Sequence, residues 1–86
     1  MFHKVTSVQP LPGYELLVCF TTGEMKRYHV APLMKKWDAF QSLSMVPGLF
    51  EQVQVDQGGY GISWNDEIDL SCDELWENGE PLEAAG

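Results

Sequence analysis

Eighty-six residues with 44% hydrophobic and 12% aromatic side chains suffice for one domain around a single core, and exclude a disordered or fibrous chain. A net charge of −8 opposes phosphate backbones, so direct nucleic-acid binding is not expected. The two cysteines, Cys19 and Cys72, are too few for a secreted disulfide scaffold, and the longest apolar run, Leu16–Phe20, is far short of a membrane span.

Lys4–Gln9 reads as a first strand, with Val5 and Val8 spaced as though a bulge lies between them. Pro10-Leu11-Pro12-Gly13 then forms a turn. Tyr14–Phe20 sets Tyr14, Leu16, Val18 and Phe20 on one face and Leu17 with Cys19 on the other, as in a strand covered on both sides. The hairpin turn Thr21–Glu24 leads into Met25–Val30, whose Lys26, Arg27 and His29 predict a more exposed strand.

Pro32 suits a first helical turn. Leu33, Trp37, Phe40 and Leu43 or Ser44 follow at helical spacing, with Lys35, Lys36, Asp38 and Gln41 facing away. The spacing predicts one helix that lays a Leu–Trp–Phe stripe on the sheet. Trp37→Ala should then cost about 3–5 kcal/mol. Val46-Pro47-Gly48 stops that helix. Phe50–Asp56 reads as a fourth strand, Gly58-Gly59 as a tight turn, and Tyr60–Trp64 as a fifth strand with Tyr60, Ile62 and Trp64 on one face.

Asn65-Asp66-Glu67 turns again before the short extended piece Ile68–Leu70. Ser71 with Glu74 three residues on has the pattern of a capping box, opening a helix from Cys72 to about Asn78 that ends at Gly79. Glu80–Gly86 is expected as a frayed tail. The order βββ-α-ββ-α describes a single α+β domain over residues 1–79, with an antiparallel-rich sheet and a helix on one face. Its expected core is Leu16, Val18, Phe20, Trp37, Phe40, Val53, Ile62 and Leu70.

Several of these pieces also occur together in one family. They are Val5…Val8-Gln-Pro-Leu-Pro-Gly-Tyr-Glu-Leu, Phe20-Thr-Thr-Gly-Glu24, Phe50-Glu-Gln-Val-Gln-Val55, Gly61-Ile-Ser-Trp64 and Ile68-Asp-Leu-Ser-Cys-Asp-Glu-Leu-Trp76. In this order and spacing the chain resembles the small bacterial proteins of domain-of-unknown-function family 2442 (DUF 2442), over roughly residues 2–79. The resemblance implies a compact α+β fold and, for some members, a place in toxin–antitoxin-like gene pairs; others add a helix-turn-helix segment, for which a chain ending at Gly86 has no room. It carries over no catalytic residue.

The acids lie mainly in the second half. All five bases (Lys4, Lys26, Arg27, Lys35 and Lys36) precede Trp37 with two carboxylates, 5 − 2 = +3, and the remaining 13 − 2 = 11 carboxylates follow with no base. That segment is either a solubility feature or a docking surface for a basic protein, since complementary charge speeds encounter. The run Asp66, Glu67, Asp69, Asp73, Glu74 lacks the central glycine and terminal glutamate of a calcium loop, so no metal site is expected, and no cofactor. Cys72 at a helix start has no sequence-local histidine or second cysteine, and its acidic neighbours oppose the thiolate.

Trp76, flanked by acids, either closes the core or serves as a binding anchor. The sequence therefore points to a cytoplasmic, non-catalytic interaction module, antitoxin-like or accessory, that meets a basic partner through Asp66, Glu67, Asp69, Glu74, Trp76 and Glu77. The alternative is a small ligand-binding domain or enzyme using the acidic turn with Tyr60 and Trp64.

Overall fold

The computed structural model describes residues 3–82. The chain is α+β, with two antiparallel sheets and three helices. The first sheet runs β1 (Val5–Leu11), β2 (Glu15–Phe20), β3 (Met25–His29) and β7 (Glu80–Pro81) side by side. The second runs β4 (Gln54–Val55), β5 (Gly61–Ser63) and β6 (Asp69–Ser71). Between the two in sequence lie α1 (Ala31–Lys36) and α2 (Asp38–Met45), and α3 (Cys72–Asn78) follows β6 directly. Among the described residues no helix is long and apolar enough to cross a membrane.

Alternation does most of the work in the first sheet. β2 turns Leu16, Val18 and Phe20 fully inward, and β3 buries Lys26 and Tyr28 at the same parity. The expected bulge is present: register jumps between Val5 and Ser7, which lets Val5 face the core opposite Phe20. Tyr14, expected to begin β2, sits instead in the turn with φ 59°, a left-handed conformation held by an edge contact of its ring on Phe50.

β3 is more exposed than β2, as its composition suggests, with Met25, Arg27 and His29 outward, but one of its polar residues is not at the surface. Lys26 is only 8% exposed. Its Nζ donates to the carbonyl of Trp76 and lies 4.1 Å from the centre of the Trp76 ring. That carbonyl belongs to the last turn of α3, where intrahelical partners run out and a cation suits the negative end of the helix.

The largest departure from the sequence reading is at Trp37. The residue has φ −122° and ψ 124°, extended backbone that splits the expected helix into α1 and α2. Phe40 and Leu43 are buried as expected, but Trp37 is 53% exposed and leaves the core. The charges on either side suit the break. Lys35 and Lys36 occupy the last turn of α1 and Asp38 the first turn of α2, each suited to the end on which it lies. The remaining residues expected in the core (Leu16, Val18, Phe20, Phe40, Val53, Ile62 and Leu70) are all buried.

The expected fourth strand is also shorter. Phe50–Gln52 is a 3-10 turn, and only Gln54–Val55 pairs with β5. The turn delivers Phe50 into an aromatic cluster: its ring stacks on Trp64 at 6.1 Å and its carbonyl accepts the Trp64 indole N–H at 3.0 Å, while Phe40 meets Trp64 edge-on. Tyr60, expected beside Ile62 and Trp64, lies before β5 and is exposed.

Ser71 caps α3 by accepting the Glu74 N–H at 3.1 Å. The reciprocal half of the capping box is replaced, because the Glu74 carboxylate accepts from Tyr28 and Asn78. Glu80 and Pro81, expected to begin a tail, pair with Arg27 and Lys26 as β7, and the Leu82 N–H donates to the Met25 carbonyl at 3.0 Å; residues 83–86 of that expected tail lie outside the described residues. The passage from α3 into β7 requires a residue without a side chain. A Cβ on Gly79 would stand 2.6 Å from the Leu75 carbonyl oxygen and 3.0 Å from the Lys26 Cβ.

Leu75, fully buried on the inner face of α3, should lose about 2–5 kcal/mol on mutation to alanine, whereas Trp37→Ala should cost under about 1 kcal/mol. Chemical denaturation of the two variants checks this. A larger loss at Trp37 than at Leu75 would return Trp37 to the core.

Candidate functional site

The six residues expected to meet a partner do not form one patch. Asp66 and Glu67 are exposed on the β5–β6 loop, which is shaped by Asn65 Oδ1 accepting the backbone N–H groups of Glu67 at 2.8 Å and Ile68 at 2.9 Å. Asp69 is exposed on β6, Glu77 is exposed near the end of α3, and Glu74 and Trp76 are half-buried. Residues 74 and 76 are about 200° apart around a helix, so α3 divides the set in two.

Trp76 faces the first sheet. His3 stacks on its ring with centroids 3.5 Å apart and planes within 9°, Phe20 meets it edge-on, and Lys26 lies over it. These neighbours cover much of the ring, so Trp76 is a link between α3 and the first sheet. Beside it the Cys72 thiol is buried and donates to the His3 carbonyl at 2.6 Å. Burial, and secondly the charge of Asp73, push the thiol pKa up, away from the reactive thiolate.

Glu74 lies on the other side of α3. Its Oε2 accepts both the Tyr28 hydroxyl at 2.7 Å and the Asn78 amide at 2.9 Å, which fixes the carboxylate. Burial first, then the hydrogen bond to Glu74 and its charge, hold the Tyr28 phenol well above its ordinary value.

Next to this carboxylate opens a groove of about 500 Å³ lined by Leu33, Lys36, Trp37 and Phe40 from the α1–α2 elbow, Asp69 and Leu70 from β6, and Glu74 and Asn78 from α3. The helix break thus places an exposed tryptophan against two of the expected acids. Trp37, not Trp76, is thus the more exposed of the two tryptophans. The sequence feature that accompanies its exposure is the Lys35-Lys36-Trp37-Asp38 run, with helix-ending charges before the indole and a helix-starting charge after it.

A second groove, about 440 Å³, lies under the β5–β6 loop between Glu51, Gln52, Ser63 and Asp66. Ser63 there donates to Asp56 at 2.6 Å. Of the aromatics of the alternative reading, Trp64 lines this second groove beside Asp66 of the acidic turn. Trp64 is buried with its N–H satisfied by Phe50, and Tyr60 lines neither groove. Among the described residues no group of three or more histidine, cysteine or carboxylate side chains is placed to hold a metal ion.

Below pH 10 both folded and unfolded chains keep the Tyr28 proton; above it the unfolded phenol ionises while the native one resists. Stability should therefore fall as pH rises past 10, and Tyr28→Phe should flatten that loss in thermal melts. An unchanged alkaline slope in the variant would mean that the phenol is not held against Glu74. Melts in EDTA and in excess calcium or magnesium should coincide, since an ion bound only by the native state would raise the transition. A rise of several degrees with either ion would reveal a site.

No curated protein and no solved structure shows a significant match to the chain. The family model described as a protein of unknown function, DUF2442, matches residues 5–81, and the chain belongs to that family.

Proposed function

We propose that this protein is a non-catalytic interaction module that docks on a basic protein, in the manner of the antitoxin-like or accessory member of a gene pair. One observation supports the reading above others: several carboxylates of the second half accept no hydrogen bond and join no ion pair among the described residues. Asp66, Glu67, Asp69, Asp73 and Glu77 are all exposed, and the ion pairs among the described residues join only Glu15 and Glu80 to Arg27 or His29. Carboxylates without such side-chain partners are free to steer a partner of opposite sign.

The contact moves from the arrangement expected from sequence. Asp69 and Glu74 act with Trp37 at the groove, Asp66, Glu67 and Glu77 supply the outlying field, and Trp76 serves the fold.

The test is association kinetics with the basic product of a neighbouring gene. Asp66→Lys, Glu67→Lys and Glu77→Lys together should slow association and flatten its dependence on ionic strength, with little change in dissociation. Binding that is insensitive both to salt and to these reversals would show that the acidic surface is not the interface.

A further inference from the structure

On the inner side of α3 this chain already seats a lysine on a tryptophan, Lys26 over Trp76 at 4.1 Å. The outer side repeats the chemistry with the seat poorly filled. Trp37 is 53% exposed, and the Nζ of its neighbour Lys36 stands 5.5 Å from the ring centre, near the outer limit of a useful cation–π contact. Facing the ring across the groove are two carboxylates. Glu74 is pinned through Oε2, so its Oε1 keeps its accepting capacity, and the Asp69 carboxylate accepts no hydrogen bond and joins no ion pair among the described residues.

We infer that this groove receives one lysine or arginine side chain of a basic polypeptide. The aliphatic stem lies along Leu33 and Phe40, the cation sits between the Trp37 ring and the carboxylates of Asp69 and Glu74, and Lys36 is the internal cation it displaces. An aromatic wall and an apolar floor suit an organic cation, whereas a bare metal ion needs more oxygen ligands than two carboxylates provide. Nucleic acid is disfavoured by the same charges that favour a basic side chain. The inference rests on the reading that the partner is basic, and adds where and how one of its residues is held.

The probes are glycine–serine peptides carrying one central arginine or lysine, with citrulline or acetyl-lysine as neutral isosteres, titrated into the full chain and followed by NMR. The charged peptides should produce a saturable shift of the Trp37 indole N–H while those of Trp64 and Trp76 stay in place. Trp37→Leu and Asp69→Asn should each weaken binding by about tenfold, and Lys36→Ala should strengthen it severalfold. Far-ultraviolet circular dichroism of each variant confirms that it is folded, which the exposure of all three side chains favours.

Citrulline binding as well as arginine would overturn the inference, as would no saturable shift at Trp37 with either charged peptide. If the peptides fail at Trp37 while the basic neighbour still binds through Asp66, Glu67 and Glu77, only the groove assignment falls. If neither the peptides nor the basic neighbour bind, both readings fall together.

Discussion

The structure depends on the attachment of α3 to β3. Two side chains on the inward face of one strand reach the two sides of one helix: Tyr28 gives its hydroxyl to Glu74, and Lys26 gives its ammonium to the Trp76 carbonyl. Because α3 continues directly from β6, these bonds also fix the second sheet relative to the first. β7 then returns to the free edge of β3, pairing with Lys26 and Arg27. A buried lysine is costly unless its charge is compensated. Here a helix-terminal carbonyl and an aromatic face offset that cost, and the four-carbon stem fills space beside Gly79, where no side chain would fit.

The same helix decides which surfaces remain available. Its inner side is occupied by Leu75 and Trp76, and its outer side presents Glu74 and Asn78 to a groove whose far wall is the α1–α2 elbow. Had the segment from Ala31 to Met45 been one straight helix, Trp37 would have continued the Leu33–Phe40 stripe into the core. The extended backbone at Trp37 accompanies an outward indole, which leaves an exposed aromatic at the groove that Asp69 and Glu74 also line.

Much of this was legible in the residues. Alternation in Leu16, Val18 and Phe20, the bulge after Val5, the turn at Gly58-Gly59 and the Ser71 cap are short-range patterns, and the structure follows them. What escaped depended on distant partners. Lys26 reads as a surface lysine until Trp76, fifty residues later, supplies its acceptor. Glu74 reads as the second half of a capping box until Tyr28 claims it. Trp76 looked like an anchor among acids because nothing near it in sequence reveals that His3 and Phe20 cover it. The Trp37 break runs against a 3.6-residue repeat of apolar residues, on which Lys35, Lys36 and Asp38 read as an outward face.

The long reach of these ties bears on how the chain reaches its fold. The β1–β2 and β2–β3 hairpins close over short loops and need little of the chain, so they can form early. Their consolidation waits for contacts of high sequence separation: 46 residues from Tyr28 to Glu74, 50 from Lys26 to Trp76 and 69 from His3 to Cys72. A growing polypeptide that has not yet emitted α3 carries a lysine and a tyrosine on the inward face of β3 with no acceptors, which disfavours premature collapse around that sheet. The hairpins are thus completed by α3 and β7, which supply those distant partners.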